Sequence, residues 1–411
     1  MQPTCDSPRH AALTVIRTLR SAGYTAYLAG GCVRDTLLGL APKDYDVATD
    51  ATPDTVQQLF PNTAAVGAAF GVVLVYLRKP SQGRHTIEVA TFRADGHYAD
   101  GRRPDGVRFT TAQEDAQRRD FTINGLFADP PPTDGVGEDT IIDFVGGQDD
   151  LKAGILRAIG EPSARFGEDY LRMLRAVRFA SRYRFTIEPR TAEAITQHAP
   201  KLDRIARERI GDEVRRMLMG NHPAQAVNQL HELGLDQAIF ASPAQCLDAQ
   251  PLERLADQAD YATRLSVWMK GRIPLQSADA IRDALMLSNE EHKGYNDLMG
   301  LTAALSSWEV ASVAAKKRLA NHPRWSQAMM KWQAEHAYPT MLETILAEVD
   351  RFAHDGIGLA PTPFVTGDDL IAAGLTPGPN FKTILDLTYD AQLDGRVTNQ
   401  DQALAFAQDQ A

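Results

Sequence analysis

The sequence predicts an α+β chain, with a small mixed-sheet α/β head over residues 1–140. An elongated all-helical neck (141–220), body (221–355) and tail (356–411) follow. Three observations carry this. Residues 1–128 hold short apolar runs with period-two alternation at 26–29, 45–48, 72–77, 86–92 and 107–109, which read as strands among helical stretches. Residues 129–139, Asp-Pro-Pro-Pro-Thr-Asp-Gly-Val-Gly-Glu-Asp, are dense in breakers and read as a surface loop or hairpin tip. Beyond Leu151, apolar residues recur at three- and four-residue spacing, as in Leu171, Leu174 and Val177, while Pro and Gly clusters near 221–223, 271–274 and 356–363 mark joints between helices.

The first strand runs into Gly30-Gly31, which opens a short helix. Two glycines let backbone N–H groups approach a phosphate chain, and the helix start favours negative charge. The second strand carries Asp44 and Asp46, whose side chains share a face while Tyr45 and Val47 point the other way. Two carboxylates so placed repel each other unless a cation sits between them, and Mg²⁺ suits oxygen ligands while leaving positions open for phosphate oxygens. Alone, an Asp-x-Asp pair is a solvated turn and a Gly-Gly pair is only a turn. At this joint spacing they are the parts of a metal-dependent nucleotidyl transfer site.

Gly30-Gly31-x-Val33-Arg34-Asp35, Leu37-Leu38-Gly39 and Asp44-x-Asp46 together resemble the head motif of the class II tRNA nucleotidyltransferase and bacterial poly(A) polymerase family. Its members add nucleotides to RNA 3′ ends without a nucleic-acid template. The resemblance covers residues 20–220 and again 360–400, and implies a nucleotidyltransferase-type head. It implies that Asp44 and Asp46 bind metal and that Gly30, Gly31 and Arg34 help hold a triphosphate. Glu88, on the strand at 86–92, would complete the carboxylate set; by itself a strand glutamate simply faces solvent.

The later motifs follow in the family's order. Residues 92–107 are rich in Gly, Asp and Arg and read as a surface loop. The resemblance implies the loop that full CCA-adding members need for the final A addition and that CC-adding members shorten, and its intact length here favours A addition. Arg118-Arg119-Asp120-Phe121-Thr122-Ile123-Asn124 resembles the second motif, with Arg119 for phosphate, Asp120 for the ribose 2′-hydroxyl, and Asn124 beside them; outside this context Arg-Arg-Asp is an exposed ion pair. Asp143-Phe-Val-Gly146-Gly147 resembles the third motif and reads as a hinge or a capped turn. The fourth, Glu168-Asp169-Tyr170-Leu171-Arg172 with Arg175 and Arg178, places Asp169 and Arg172 one helical turn apart. A carboxylate acceptor beside a guanidinium donor mirrors the amino group and ring nitrogen shared by cytosine and adenine, and opposes uracil and guanine. As a plain helical salt bridge the same pair would contribute a few tenths of a kcal/mol. Residues 204–218 resemble the fifth motif, bracing the nucleotide-reading helix or forming a solvated charged face. Residues 367–379 resemble a segment of the tRNA-processing branch that grips the tRNA body, whereas residues 66–71 lack the paired basic residues of the poly(A) polymerase signature. His354-Asp355 has no companion histidines and is not read as a metal phosphohydrolase signature.

The chain has 411 residues and a net charge of −10, which is adverse for an RNA partner taken globally. The charge is segregated: residues 165–190 hold seven Arg against three acids, and residues 367–411 hold seven Asp against one Lys and one Arg. There is no apolar run long enough for a membrane span and no signal-peptide pattern at the N-terminus, and Cys5, Cys32 and Cys246 are scattered, which favours a cytoplasmic setting without zinc or disulfides. Trp268, Trp308, Trp325 and Trp332 are expected in the core rather than stacked on RNA. The expected activity is Mg²⁺-dependent addition or repair of CCA at the tRNA 3′ end from CTP and ATP. Addition of A only or of CC only, a poly(A) polymerase, and a tRNA-binding factor with a silent head are the alternatives.

Overall fold

Seven strands make the sheet that positions everything else in the N-terminal part: β1 (Ala26–Ala29), β2 (Asp46–Thr49), β3 (Thr63–Ala65), β4 (Val72–Arg78), β5 (Arg84–Thr91), β8 (Leu126–Asp129) and β9 (Thr140–Asp143). Their order is β3-β4-β5-β2-β1-β8-β9. The β2–β5 pair is parallel and the other neighbours are antiparallel, so the sheet is mixed. Two short strands, β6 (Arg93–Asp95) and β7 (Val107–Phe109), pair separately. The computed structural model describes residues 5–65, 71–79, 83–95, 107–132, 137–242, 248–272, 277–336, 339–354 and 356–411, and divides into two compact units, Met1–Ala244 and Gln245–Ala411.

Alternation decides which residues face the core. In β5, His85, Ile87, Val89 and Thr91 are buried while Thr86 and Glu88 are exposed. Helix α1 (Pro8–Ser21) packs on β1, β2 and β5. Its start is fixed by Ser7, whose side chain accepts from the His10 N–H, and by Pro8 in the first turn. The strand expected at 45–48 begins one residue later, so Asp44 lies on the approach to β2. Strands β3, β6, β8 and β9 lie outside the runs that the alternation marks. Segment 129–139 joins β8 to β9 as a hairpin connection, and residues 133–136 lie outside the described residues. So do 96–106, most of the loop expected to serve A addition, and 66–70, most of the segment compared with the poly(A) polymerase signature.

Helices α2 (Gly31–Leu37), α3 (Pro53–Leu59) and α4 (Ala112–Gln117) belong to the sheet region. Beyond it come α5 (Gly147–Ala153), α6 (Pro162–Glu168), α7 (Leu171–Tyr183), α8 (Pro189–His198) and α9 (Arg207–Leu218), with α7 packed on α9. At the third motif the Asp143 carboxylate accepts from the N–H groups of Val145, Gly146, Gly147 and Gln148 at 2.9–3.1 Å. Burial opposes ionisation of Asp143, yet these four donors hold its carboxyl below the usual range. A Cβ on Gly147 would lie 2.2 Å from the Thr122 carbonyl oxygen. This geometry is that of a capped turn, a reading compatible with a hinge at the same place.

In the unit Gln245–Ala411 one apolar cluster gathers Leu298, Leu305, Trp308, Met329, Trp332 and Ile345 with Trp325 against it, and a second gathers Val365, Leu370, Ile384, Ala391 and Val397. Trp268, Trp308 and Trp332 are buried, as expected of core residues. Among the described residues no helix is long and apolar enough to cross a membrane.

Candidate active site

The parallel register places Val47 opposite Val89, which sets Asp46 and Glu88 side by side on the same face of β2 and β5. Burial, then Glu88, then Asp44 push the Asp46 carboxyl up to about 6, and only Arg119 acts in the other direction. A buried carboxylate destabilised by neighbouring carboxylates suits a hard divalent cation. Among the described residues no three acidic, histidine or cysteine side chains close on one point. Asp44, Asp46 and Glu88 are the residues here that could hold such a cation, with substrate oxygens supplying further ligands.

Next to them is the Gly30–Gly31 turn. Gly30 has φ +67°, and a Cβ there would meet Arg119 Nη1 at 2.8 Å. The backbone conformation requires the glycine, and a side chain there would also displace the Arg119 guanidinium. Arg119 donates from Nε and Nη2 to Asp115 at 3.2 and 3.0 Å and from Nη1 to the Asn124 carbonyl at 3.1 Å. Arg34 is buried; it donates to Asp35 at 2.8 and 2.7 Å and to Asn124 Oδ1.

Asp120 is more heavily engaged than the sequence suggests. Its Oδ1 accepts from the Phe121 N–H at 2.8 Å and Asn124 Nδ2 at 2.9 Å, and its Oδ2 accepts from Arg175 Nε and Nη2 at 2.9 and 2.6 Å. Burial opposes its charge, but Arg175 and the Asn124 hydrogen bond hold its carboxyl at about 2. Four donors saturate a carboxylate. A ribose hydroxyl would have to displace one.

The fourth motif departs from the expected geometry. Asp169 is not inside a helix: with φ −152° and ψ 106° it ends α6, and its Oδ1 accepts from the Leu171 N–H at 3.0 Å at the start of α7. A short acceptor side chain competes with the helical backbone and breaks the run here. Asp169 and Arg172 therefore do not form a one-turn pair. Asp169 pairs with Arg209 of α9 at 2.8 Å, and Arg172 donates to Glu168 and, at 3.0 Å, to the Arg165 carbonyl. Arg178 donates to Glu213 at 2.6 Å.

The candidate residues line one cavity of about 910 Å³. It brings together Gly30, Gly31, Arg34, Asp44, Asp46, Glu88, Arg119, Asp120, Asn124, Asp169, Arg172, Arg175 and Arg178, every residue singled out from the sequence. The wall also includes Arg93, Arg118, Phe179, Arg209 and Arg216. Arg209 and Arg216 are seven residues apart on α9, two turns on one face, a spacing legible beforehand. Arg93 follows a buried Phe at the end of the sheet and carried no such signal. Nine arginines against five carboxylates line the space, which favours a polyanion despite the acidic chain.

A family model described as the Poly A polymerase head domain matches residues 26–157, and one described as a probable RNA and SrmB-binding site of polymerase A matches residues 184–246. A CCA-adding enzyme of Levilactobacillus brevis is 35% identical over 422 residues, 96% of this chain and 96% of that one. The chain belongs to the CCA-adding enzyme and bacterial poly(A) polymerase family. Its similarity to Poly(A) polymerase I of Salmonella typhi is 42% identity over 240 residues, 56% of this chain and 49% of that protein. Among solved structures, the Bacillus stearothermophilus CCA-adding enzyme in complex with CTP superposes with a TM-score of 0.75 and 28% identity, covering 100% of this chain and 98% of that one. The sheet and the helical region after it are thus those of the family.

Proposed function

We propose that this chain builds or repairs the CCA end of tRNA, adding nucleotides from CTP and ATP without a nucleic-acid template. The observation that carries the reading is the single cavity in which the Asp44–Asp46–Glu88 carboxylates and the Asp169 and Arg172 side chains face a common space. Mg²⁺ held by Asp44 and Asp46, with Glu88 beside them, would lower the pKa of the primer 3′-hydroxyl and offset charge on the transferring phosphorus. The remaining work is positioning and charge compensation. Arg119 stands over the Gly30 turn, where a triphosphate entering the turn meets its guanidinium. Arg34 and Asp120 act mainly by fixing Asn124 and Arg175.

Asp169 and Arg172 read the base. Because each is held by another residue, their donor and acceptor edges are set before the nucleotide arrives. Arg172 Nη2 has no partner among the described residues and is available to cytosine N3 or adenine N1. The Asp169 carboxylate accepts the exocyclic amino group. Uracil and guanine present a carbonyl to that carboxylate, and the mismatch rejects them. Residues 141–220 thus select the nucleotide, and residues 356–411 grip the tRNA.

The test is incorporation of labelled CTP, ATP or both into three tRNA transcripts, ending before the CCA, after CC, and after CCA, with Asp46→Ala as the blank. Two C and one A on the first transcript, then arrest, is the expected result. Growth only on the transcript ending in CC would indicate A addition alone, and arrest after two C would indicate CC addition alone. Long A runs on any RNA would make the chain a poly(A) polymerase. No incorporation on any transcript would sink the reading.

A further inference from the structure

We infer that Tyr183 is a positioning residue for nucleotide binding: its hydroxyl closes a ring of hydrogen bonds, buried at its centre, that fixes Arg34, Asn124 and Arg175 in the cavity wall. The Tyr183 hydroxyl donates to Asp35 Oδ1 at 2.7 Å. The same oxygen accepts from Arg34 Nε and Nη2 at 2.8 and 2.7 Å. Arg34 Nη1 then donates to Asn124 Oδ1, and Asn124 Nδ2 donates to Asp120 Oδ1 at 2.9 Å. Asp120 Oδ2 accepts from Arg175, which lies on α7 as Tyr183 does. The chain of bonds leaves α7 at one end, crosses α2 and the Thr122–Asn124 turn, and returns to α7 eight residues upstream.

Arg34, Asp35, Asp120 and Asn124 are buried, so the bonds among them act where water competes poorly, while the Tyr183–Asp35 and Arg175–Asp120 bonds at the two ends are part-buried. Asn124 is the branch point. Its amide oxygen faces Arg34, its amide nitrogen faces Asp120, and its carbonyl accepts from Arg119, the arginine beside Gly30. The hydroxyl of Tyr183 is thereby linked to the residues on both sides of the nucleotide site without lining the cavity itself. Burial pushes the phenol up to about 12, so it stays a neutral donor across the working range. The ring also packs: it stacks on Phe179 at 6.5 Å, and Arg34 lies 4.9 Å above it. Tyr183→Phe keeps those ring contacts and removes only the donor.

That the fixed wall holds a nucleotide rests on the function proposed above; the ring of bonds does not. The experiment is calorimetric titration of CTP and ATP, with Mg²⁺, into the full chain carrying Tyr183→Phe or Tyr183→Leu, alongside melting curves. Tyr183→Phe is expected to weaken both nucleotides alike, about three- to tenfold, the net worth of one ordinary hydrogen bond felt at one remove from the nucleotide. Its melting temperature should stay close to that of the unaltered chain, and Tyr183→Leu should bind at least as weakly. Unchanged affinity in Tyr183→Phe, whether or not Tyr183→Leu loses binding, assigns Tyr183 to packing alone and overturns the proposal. A fall in Tm large enough to account for the lost affinity does the same. Should the unaltered chain bind both nucleotides yet add none to tRNA, the functional reading fails, while the ring is still decided by the affinity ratio.

Discussion

Asp46 and Asp120 are aspartates of one cavity with opposite environments. Asp46 has its carboxyl pushed up to about 6 by burial, Glu88 and Asp44; Asp120 is held at about 2, against its burial, by Arg175 and Asn124. An unfolded aspartate ionises near 3.9. For Asp46 the stabilising form is the protonated one, so its contribution is complete below about 3.9 and is lost as pH rises through about 6. Asp46→Asn in EDTA should therefore melt higher than the unaltered chain at pH 8, by on the order of 2 kcal/mol, and no higher at pH 3.5. The same variant should lose nearly all incorporation and should gain no stability from Mg²⁺. An Asp46→Asn protein no more stable than its parent at pH 8 would mean that the carboxylates do not repel as described. Asp120 has the reverse sign. Its stabilisation is complete above about 3.9 and disappears as pH falls through about 2, so Asp120→Asn should destabilise by on the order of 2 kcal/mol at pH 7. Urea unfolding at neutral pH reads that loss directly.

At the scale of elements, the turn Gly146–Gly147 separates two kinds of glycine. Gly146 has φ +77° with nothing near its missing Cβ, whereas Gly147 lies against the Thr122 carbonyl. Gly146→Ala should carry only the backbone cost of about 1 kcal/mol. Gly147→Ala must shift the Thr122–Asn124 turn, a crowding that costs roughly 1–3 kcal/mol or more, and should weaken CTP binding because Asn124 moves with it. Equal melting temperatures for the two variants would remove this distinction. The long strands were legible because β4 and β5 alternate over seven and eight residues. The strands β3, β8 and β9 were not, although β1 and β7 are as short and were marked; three or four residues carry little period of their own, and such strands are held by their sheet neighbours. The break at Asp169 was illegible for a related reason. Helical spacing continues on both sides of it, and only the carboxylate capping Leu171 and the pull of Arg209, forty residues away, reveal that the helix stops. The site residues were recognisable as a set from their motifs; which of them hold one another, rather than substrate, needed the fold.

For the whole molecule, charge and division into units make a joint prediction. Met1–Ala244 contains the sheet, the entire cavity and its nine arginines, while residues 367–411 carry seven Asp against two basic residues. A chain of net charge −10 approaches RNA unfavourably as a whole and binds it through the phosphates it meets locally. A fragment of residues 1–244 is therefore expected to melt cooperatively and to bind CTP about as tightly as the full chain. Its tRNA affinity should fall, because residues 367–379, similar to a segment that grips the tRNA body, are removed. The number of phosphates engaged is read from the slope of log affinity against log salt, roughly 0.9 per phosphate for a duplex. A shallower slope for the fragment would assign phosphate contacts to Gln245–Ala411, despite its acidic end. An identical slope with weaker binding would mean that the removed part grips tRNA through uncharged contacts, the outcome that its seven aspartates favour. Full tRNA affinity in the fragment would overturn the assignment of residues 356–411 to tRNA binding and leave the arginine wall as the whole of the RNA site.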